Sequence, residues 1–309
     1  MTVVGAAPAA VAVKGRAAGR PPAPRGHAMS YGFVSVYAVL ALAFGVLPAL
    51  YAVYLAFTDG EGRFAGLANF SKVVGDFRFW PAVRHVALFL VIWLVALVVL
   101  VTLLAVIVHA IRVRWLSRTL RFVFYLPGAL AGASSVLLWL FLLDPTASPV
   151  GGLLRLFGFD SFVQVIVPGN LPVIFAVIAF WTGAGGWIVI MYGALSSISS
   201  EVMEAARVDG ANAVQIAWRI QLPLLRKWIS YMGIMSLAAG TQLFVEPQLL
   251  SQASNAVVPN DYSLNQLAYQ YAFQQNDFNG AAAISLLLLL IALCLSAVFV
   301  TRGGLFETD

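Results

Sequence analysis

The sequence predicts an all-α membrane protein of six transmembrane helices, with both termini in the cytoplasm. Three observations carry that expectation. Of 309 residues, 61% are hydrophobic and only 10% charged, against about 25% charge in a soluble domain. The apolar residues form long continuous runs, not the ten-residue alternation of a transmembrane barrel. The 18 lysines and arginines fall unevenly on the segments between those runs.

Residues 1–28 are mostly Ala, Pro and Gly, with Lys14, Arg16, Arg20 and Arg25. Nothing there can bury a core, so a disordered cytoplasmic tail is expected. The weakly apolar patch precedes most of the basic residues, the reverse of a cleaved signal. Residues 29–305 form the membrane domain. Spans of about 20 apolar residues are expected near 30–57, 82–109, 121–143, 170–195, 228–251 and 279–301. Each is helical, because backbone groups in lipid must bond within their own segment.

Orientation follows from the basic residues. With the N-terminus inside, the inner side holds the four of the tail; Arg112, Arg114, Arg118 and Arg121; Arg207, Arg219, Arg226 and Lys227; and Arg302. That is 13, against 5 outside: Arg63, Lys72, Arg78, Arg84 and Arg155. The segment 196–227 is thereby cytoplasmic. The outer loops are short. Residues 58–81 carry interfacial aromatics, 144–169 turn-forming Pro and Gly, and 252–278 an amide-rich stretch interleaved with Tyr and Phe. The net charge of +5 suits basic loops against anionic lipid heads, and nothing further supports nucleic-acid binding. Cys294 lies alone in an apolar run, which excludes an internal disulfide.

Between the fourth and fifth spans lies a charged, amphipathic stretch. Ser199 or Ser200 caps a helix with Glu201 and Glu204 in its first turns. Met203, Ala206 and Val208 give it an apolar side, and Gly210 stops it. A second helix runs from about Ala211, with Val214, Ile216, Trp218 and Ile220 as apolar contacts, until Pro223 ends it or kinks the entry to the next span. The residues alone leave three readings open: an ordered loop, a helix lying on lipid, or a hairpin seated in the cleft of a soluble partner.

Glu246 is the one clear ionisable residue within a span, and such residues are functional candidates. It reads as a solvated helix-end acid, a hydrogen-bonding group in a transport path, or a proton relay. The last would make the chain a self-contained ion-coupled carrier, for which one unpartnered carboxylate is thin equipment. His27, His85 and His109 cannot converge on a metal, and no nucleophile–base–acid set is present, so no catalytic centre is expected. No Gly-x-x-x-x-Gly-Lys-Ser/Thr phosphate loop occurs, so ATP is not bound by this chain in that manner.

Glu204-Ala205-Ala206, Arg207, Asp209-Gly210 and Ile220-Gln-Leu222-Pro223 together resemble the EAA loop of ABC importer permeases. Phe64-Ala-Gly-Leu-Ala-Asn-Phe70 followed by Phe79-Trp80, Leu126-Pro127, Leu243-Phe-Val-Glu-Pro-Gln-Leu-Leu250 and Asp277-Phe-Asn-Gly-Ala-Ala are similar to segments of sugar-importer permeases. The likeness covers roughly 30–305 and is to the MalF/UgpA-like side of the carbohydrate uptake family. One departure is Asn255-Ala-Val-Val-Pro259, where the family commonly has Gly-Gly-Pro.

The resemblance implies a type I importer permease fold in a bacterial inner membrane. It implies a coupling loop at about 199–225, through which Glu204, Ala205, Ala206, Asp209, Gly210, Leu222 and Pro223 engage a separate ATPase. Glu204 makes the polar contact, Gly210 permits the turn, the alanines allow close approach, and Arg207 and Asp209 are rim charges or an internal pair. ATP and Mg then belong to an ATP-binding subunit dimer. The remaining partners are a second, homologous permease and an extracytoplasmic solute-binding protein. The implied cargo is a sugar, such as a di- or oligosaccharide. Sugar-contacting positions map near Thr182, Gly183 and Gly186 in the fourth span and Ser236, Ala239, Gly240 and Leu243 in the fifth. Trp181, Trp187, Gln242 and Glu246 supply aromatic faces and polar groups beside them. Close helix packing is the competing reading for Gly183, Gly185 and Gly186.

Overall fold

The computed structural model describes residues 27–130, 132–254 and 257–303. Residues 1–26 of the expected tail and Asn255 of the departing segment lie outside them. The helix leading into the first span already begins at His27. The chain divides into two units at Leu50. Described residues of the first unit belong to α1 (Val34–Ala56) and the helical turns that precede it, and Tyr37 and Phe44 there are exposed.

Among the described residues, four helices are long and apolar enough to cross a membrane: α1, α3 (Phe79–Ala110), α6 (Leu171–Ser196) and Phe278–Val298 within α11 (Phe278–Gly303). Their bounds lie within a few residues of the expected ones. Two further spans are broken. α4 (Arg114–Tyr125) continues through a tight turn to Ala129 and meets α5 (Ala133–Leu142) at 103°. α8 (Ala213–Gly240) meets α9 (Val245–Ala253) at 43°. Counting each bent pair as one gives the six spans expected. Between them lie α2 (Ala68–Val74), α7 (Ser200–Val208) and α10 (Leu264–Phe273).

Two expectations are corrected. The segment 121–143 is not one straight helix. Pro127 has no amide hydrogen to continue the α-helical ladder, and Gly132 turns back with φ +56°. α5 alone has 10 residues, about 15 Å, half the hydrocarbon thickness. The fifth span does not begin afresh near residue 228 either. α8 starts in the hairpin, passes Pro223, and stops at Gly240. A π turn over Ala217–Gln221 precedes the proline. Widening the helix there relieves the clash of the proline ring with the preceding carbonyls. The result is a continuous rod about 40 Å long.

The main core packs α3, α6 and α8 together, with Phe89, Leu97, Phe175, Ile178, Ile188, Met191 and Met232 buried. In a bilayer such contacts stabilise by close van der Waals fit rather than by transfer from water. A second core joins α10 and α11, where Ala281, Ala282 and Ala283 let Leu264, Leu267 and Tyr271 approach closely.

The end of α3 remote from the hairpin is tied by polar groups. Asn69 Nδ2 donates to the carbonyls of Ala56 (2.9 Å) and Thr58 (2.8 Å). Asn279 Nδ2 donates to Leu55 (2.9 Å) and to the same Thr58 carbonyl (2.8 Å). Two of the sequence segments that carry the resemblance thus meet at the last turn of α1. Arg78 holds Asp76 through Nη2 at 2.6 Å and donates to Gln270 at 2.9 Å. The Tyr271 hydroxyl donates to Asp76 at 2.7 Å. The Arg78 hydrogen bonds keep the Asp76 carboxyl well below the usual carboxylate range, and burial pushes the Tyr271 phenol up to about 12. Asn279→Ala is expected to cost about 1–3 kcal/mol, because it strands partly buried carbonyls. The thermal midpoint of the purified protein should fall, and by less than additively with Asn69→Ala, since both reach Thr58.

Candidate functional site

The hairpin is α7 and the start of α8. Ser199, in extended backbone, accepts the Val202 amide at 3.4 Å and opens α7. Glu201 sits in the first turn, where the helix dipole favours an acid. Gly210 has φ +82°. Its amide donates to Arg207 O at 3.0 Å, and the Ala211 amide donates to Ala206 O at 2.9 Å. This nested pair is the glycine-dependent helix stop expected from the sequence. Asn212 and Gln215 then cap α8 reciprocally, side chain to amide, at 2.8 and 2.9 Å. Asn-x-x-Gln, a variant of the capping-box pattern, is the signal by which sequence reading could have found that start.

Burial on the hairpin is uneven. Ile216 and Gln221 are buried, and Leu225 anchors the rod in the main core. Glu204, Ala205, Asp209 and Gly210 are exposed, Ala206 and Leu222 half-buried, and Pro223 exposed. Val208, on the apolar side of α7 expected from the sequence, is 87% exposed, and Val214 is 65% exposed. The hairpin therefore presents apolar side chains beside charged ones on a face that the other described residues leave uncovered.

Farther along the same rod is a cavity of about 200 Å³ lined by Thr182 and Gly183 of α6, Ala239 and Gly240 of α8, and Gln242, Leu243 and Glu246 at the break into α9. Seven of the eleven residues named from the sequence for a substrate path converge here. Phe89 and Trp93 of α3 line it too, their rings stacked at 5.5 Å and 10°. Sequence reading missed them. Their only mark is spacing: two aromatics four residues apart share one helix face.

The break explains the polar groups. Gln242 and Leu243 follow the last turn of α8, and Glu246 lies in the first turn of α9, so its carboxylate meets the positive end of a helix dipole. A discontinuous span that exposes backbone ends to a cavity is a recurrent way of building a polar site at membrane depth. Thr182 Oγ1 donates back to Ile178 O at 3.0 Å, which leaves its lone pairs as acceptors. Trp93 Nε1 is buried without a partner among the described residues.

The other four residues lie outside this lining. Trp181 packs edge-on against Trp139 (5.8 Å), and Trp187 edge-on against Tyr231 (5.8 Å). Ser236 is buried in α8 with its hydroxyl unpartnered among the described residues. Gly186 meets open space.

Residues 101–302 match the family of binding-protein-dependent transport system inner membrane components. The chain belongs to that family. Among curated relatives of this inner-membrane component, the multiple sugar-binding transport system permease protein MsmF of Streptococcus mutans is 28% identical over 284 residues, 89% of this chain and 95% of MsmF. The arabinooligosaccharides transport system permease protein AraP of Halalkalibacterium halodurans is 26% identical, over 90% of this chain and 88% of AraP. Among solved structures, a chain of the bacterial alginate ABC transporter, in complex with alginate pentasaccharide-bound periplasmic protein, superposes with a TM-score of 0.75 at 18% identity. That likeness, of fold, covers 90% of this chain and 95% of that one.

The matched region of the inner-membrane component takes in α6, the hairpin, α8 and α9, and its glycines divide by role. A β-carbon on Gly185 would run into the Phe124 carbonyl, so this glycine lets α6 lie directly on α4. A β-carbon on Gly183 meets nothing within 4 Å, so its bareness leaves room in the cavity. At Gly240 a β-carbon would come within 2.5 Å of Leu90 and of the Trp93 ring. Gly185→Ala should lower folded yield and thermal midpoint, at a cost of about 1–3 kcal/mol or more for overpacking against backbone. Gly186→Ala, with open space, should be near neutral. Thermal melts of the purified variants test the contrast.

Proposed function

We propose that this chain is one of two permease subunits of an ATP-driven importer for a sugar of di- or oligosaccharide size, and lines half of the translocation path. The observation that carries the reading is the continuity of α8. One continuous helix joins the exposed hairpin to the cavity wall at Ala239 and Gly240, a path by which force on the hairpin would move the cavity. The distribution of Lys and Arg supports a cytoplasmic hairpin. There, in this reading, Glu204, Ala205, Ala206, Asp209 and Gly210 seat in a separate ATPase subunit, with Leu222 and Pro223 at the root. ATP and Mg are bound by that subunit. A second, homologous permease completes the cavity, and an extracytoplasmic solute-binding protein delivers the cargo. The names of the relatives support a saccharide, as does the lining: aromatic faces suit the apolar faces of pyranose rings, while Glu246, Gln242 and Thr182 suit hydroxyls. A single acid in the lining disfavours an anionic cargo.

Cross-linking tests the seating. In a Cys294→Ala background, Ala205→Cys should form a disulfide with a cysteine placed in the cleft of the ATPase in the assembled transporter. A cysteine in place of Asn69, at the other end of the membrane domain, should not. Equal labelling of both, or labelling of neither, contradicts the reading.

A further inference from the structure

Two grooves run together along the flank of the hairpin. One, of about 600 Å³, lies between the last turn of α3 and the hairpin. The other, of about 430 Å³, continues between α3 and α8. They share Leu103, Val106, Ala217 and Trp218, so they adjoin along these side chains as a channel with two characters. Its mouth carries Arg112 from the α3 side and Arg207 from the hairpin, and among the described residues no aspartate or glutamate lines it. Neither arginine is ion-paired among the described residues. The inner stretch is apolar, walled by Val99, Leu222 and Ile229 apart from the hydroxyl of Thr102. Trp218, 69% exposed, stands where the two meet, as an indole does at the boundary of membrane and water.

The chemistry selects the occupant. A small anion would use the mouth alone, and a neutral hydrocarbon chain the slot alone. The tail, with Lys14, Arg16, Arg20 and Arg25, is repelled by a basic mouth. An anionic phospholipid uses both parts, since basic pockets between helices near the membrane surface hold such head groups. We propose that this channel binds one anionic phospholipid, its phosphate between Arg112 and Arg207 and an acyl chain along Leu222 and Ile229. The proposal rests on the reading that places the hairpin end of the chain at the cytoplasmic membrane surface. The lipid would then wedge α3 against the root of α8, at the point where the lever enters the membrane.

Native mass spectrometry of the complete transporter, exchanged into phosphatidylglycerol or phosphatidylcholine, tests this. Wild type should retain phosphatidylglycerol in preference. Arg112→Gln should weaken that retention about fivefold, the contribution of one basic residue near a lipid surface. Trp218→Ala should weaken it without changing the salt dependence. Equal retention of the two lipids by wild type, or undiminished phosphatidylglycerol retention by Arg112→Gln, overturns the proposal. Uptake by the same preparations separates it from the coupling reading. Glu204→Ala should lose uptake and keep the lipid preference. If Glu204→Ala keeps both, the coupling reading fails and the lipid site stands.

Discussion

Glu204→Ala in the assembled, reconstituted transporter should reduce sugar uptake by at least about tenfold while the complex still forms. Glu204 is exposed in the chain alone; seated in a cleft, its carboxylate would lose water and depend on a donor of the ATPase. Truncating one member of a buried, charge-assisted hydrogen bond costs about 2–5 kcal/mol, a factor of about 30 or more in how firmly this one hairpin is seated. Gly210→Pro should act as strongly by another route. The glycine has φ +82°, which proline cannot adopt, and its amide closes the end of α7 on Arg207. The two helices would then leave the turn at a different angle. In both variants ATP hydrolysis should run without uptake or fall to the level of the free ATPase. Recovery of the assembled complex on size-exclusion chromatography, measured beside uptake and phosphate release, distinguishes these results from simple misfolding. Wild-type uptake in both variants would remove the hairpin from the coupling mechanism.

The second large effect is expected at Gly183. A β-carbon there meets nothing, so Gly183→Leu should fold. The new four-carbon side chain would project into a cavity of about 200 Å³ beside Trp93 and Glu246. Uptake should be abolished, while the cross-link from Ala205→Cys to the ATPase persists. Gly185→Leu, two residues away, should fail differently, by loss of folded protein. If Gly183→Leu transports normally, the cavity is not the path.

Four of the spans were readable because long apolar runs leave helices as the only option in lipid. The hairpin was readable because Glu201, Glu204 and Gly210 are capping and stopping chemistry in an otherwise apolar neighbourhood. What the sequence concealed was continuity. Pro223 looks like a boundary, and only the π turn before it lets α8 pass from hairpin to cavity. The bend at residues 126–132 was hidden for the opposite reason. Leu126-Pro127-Gly128 is apolar enough to count toward a span, and hydropathy does not register a missing amide hydrogen. Phe89 and Trp93 were hidden among other large apolar residues of α3. Their role depends on which face meets Gly240, a fact of packing rather than of composition. Gly183 and Gly185 look alike in sequence; one faces a void and the other a carbonyl.

Residues 213–240 should transmit the motion of the hairpin to the cavity as one rigid body. Electron–electron distance measurement between spin labels at Val214 and Ala239, in the complete transporter, tests it most directly. The account predicts a separation of about 38 Å that stays the same with and without ATP. Between Ala239 labels and the second permease, the distance should change with nucleotide. A nucleotide-dependent change within the Val214–Ala239 pair would show that the rod flexes, and would contradict the account.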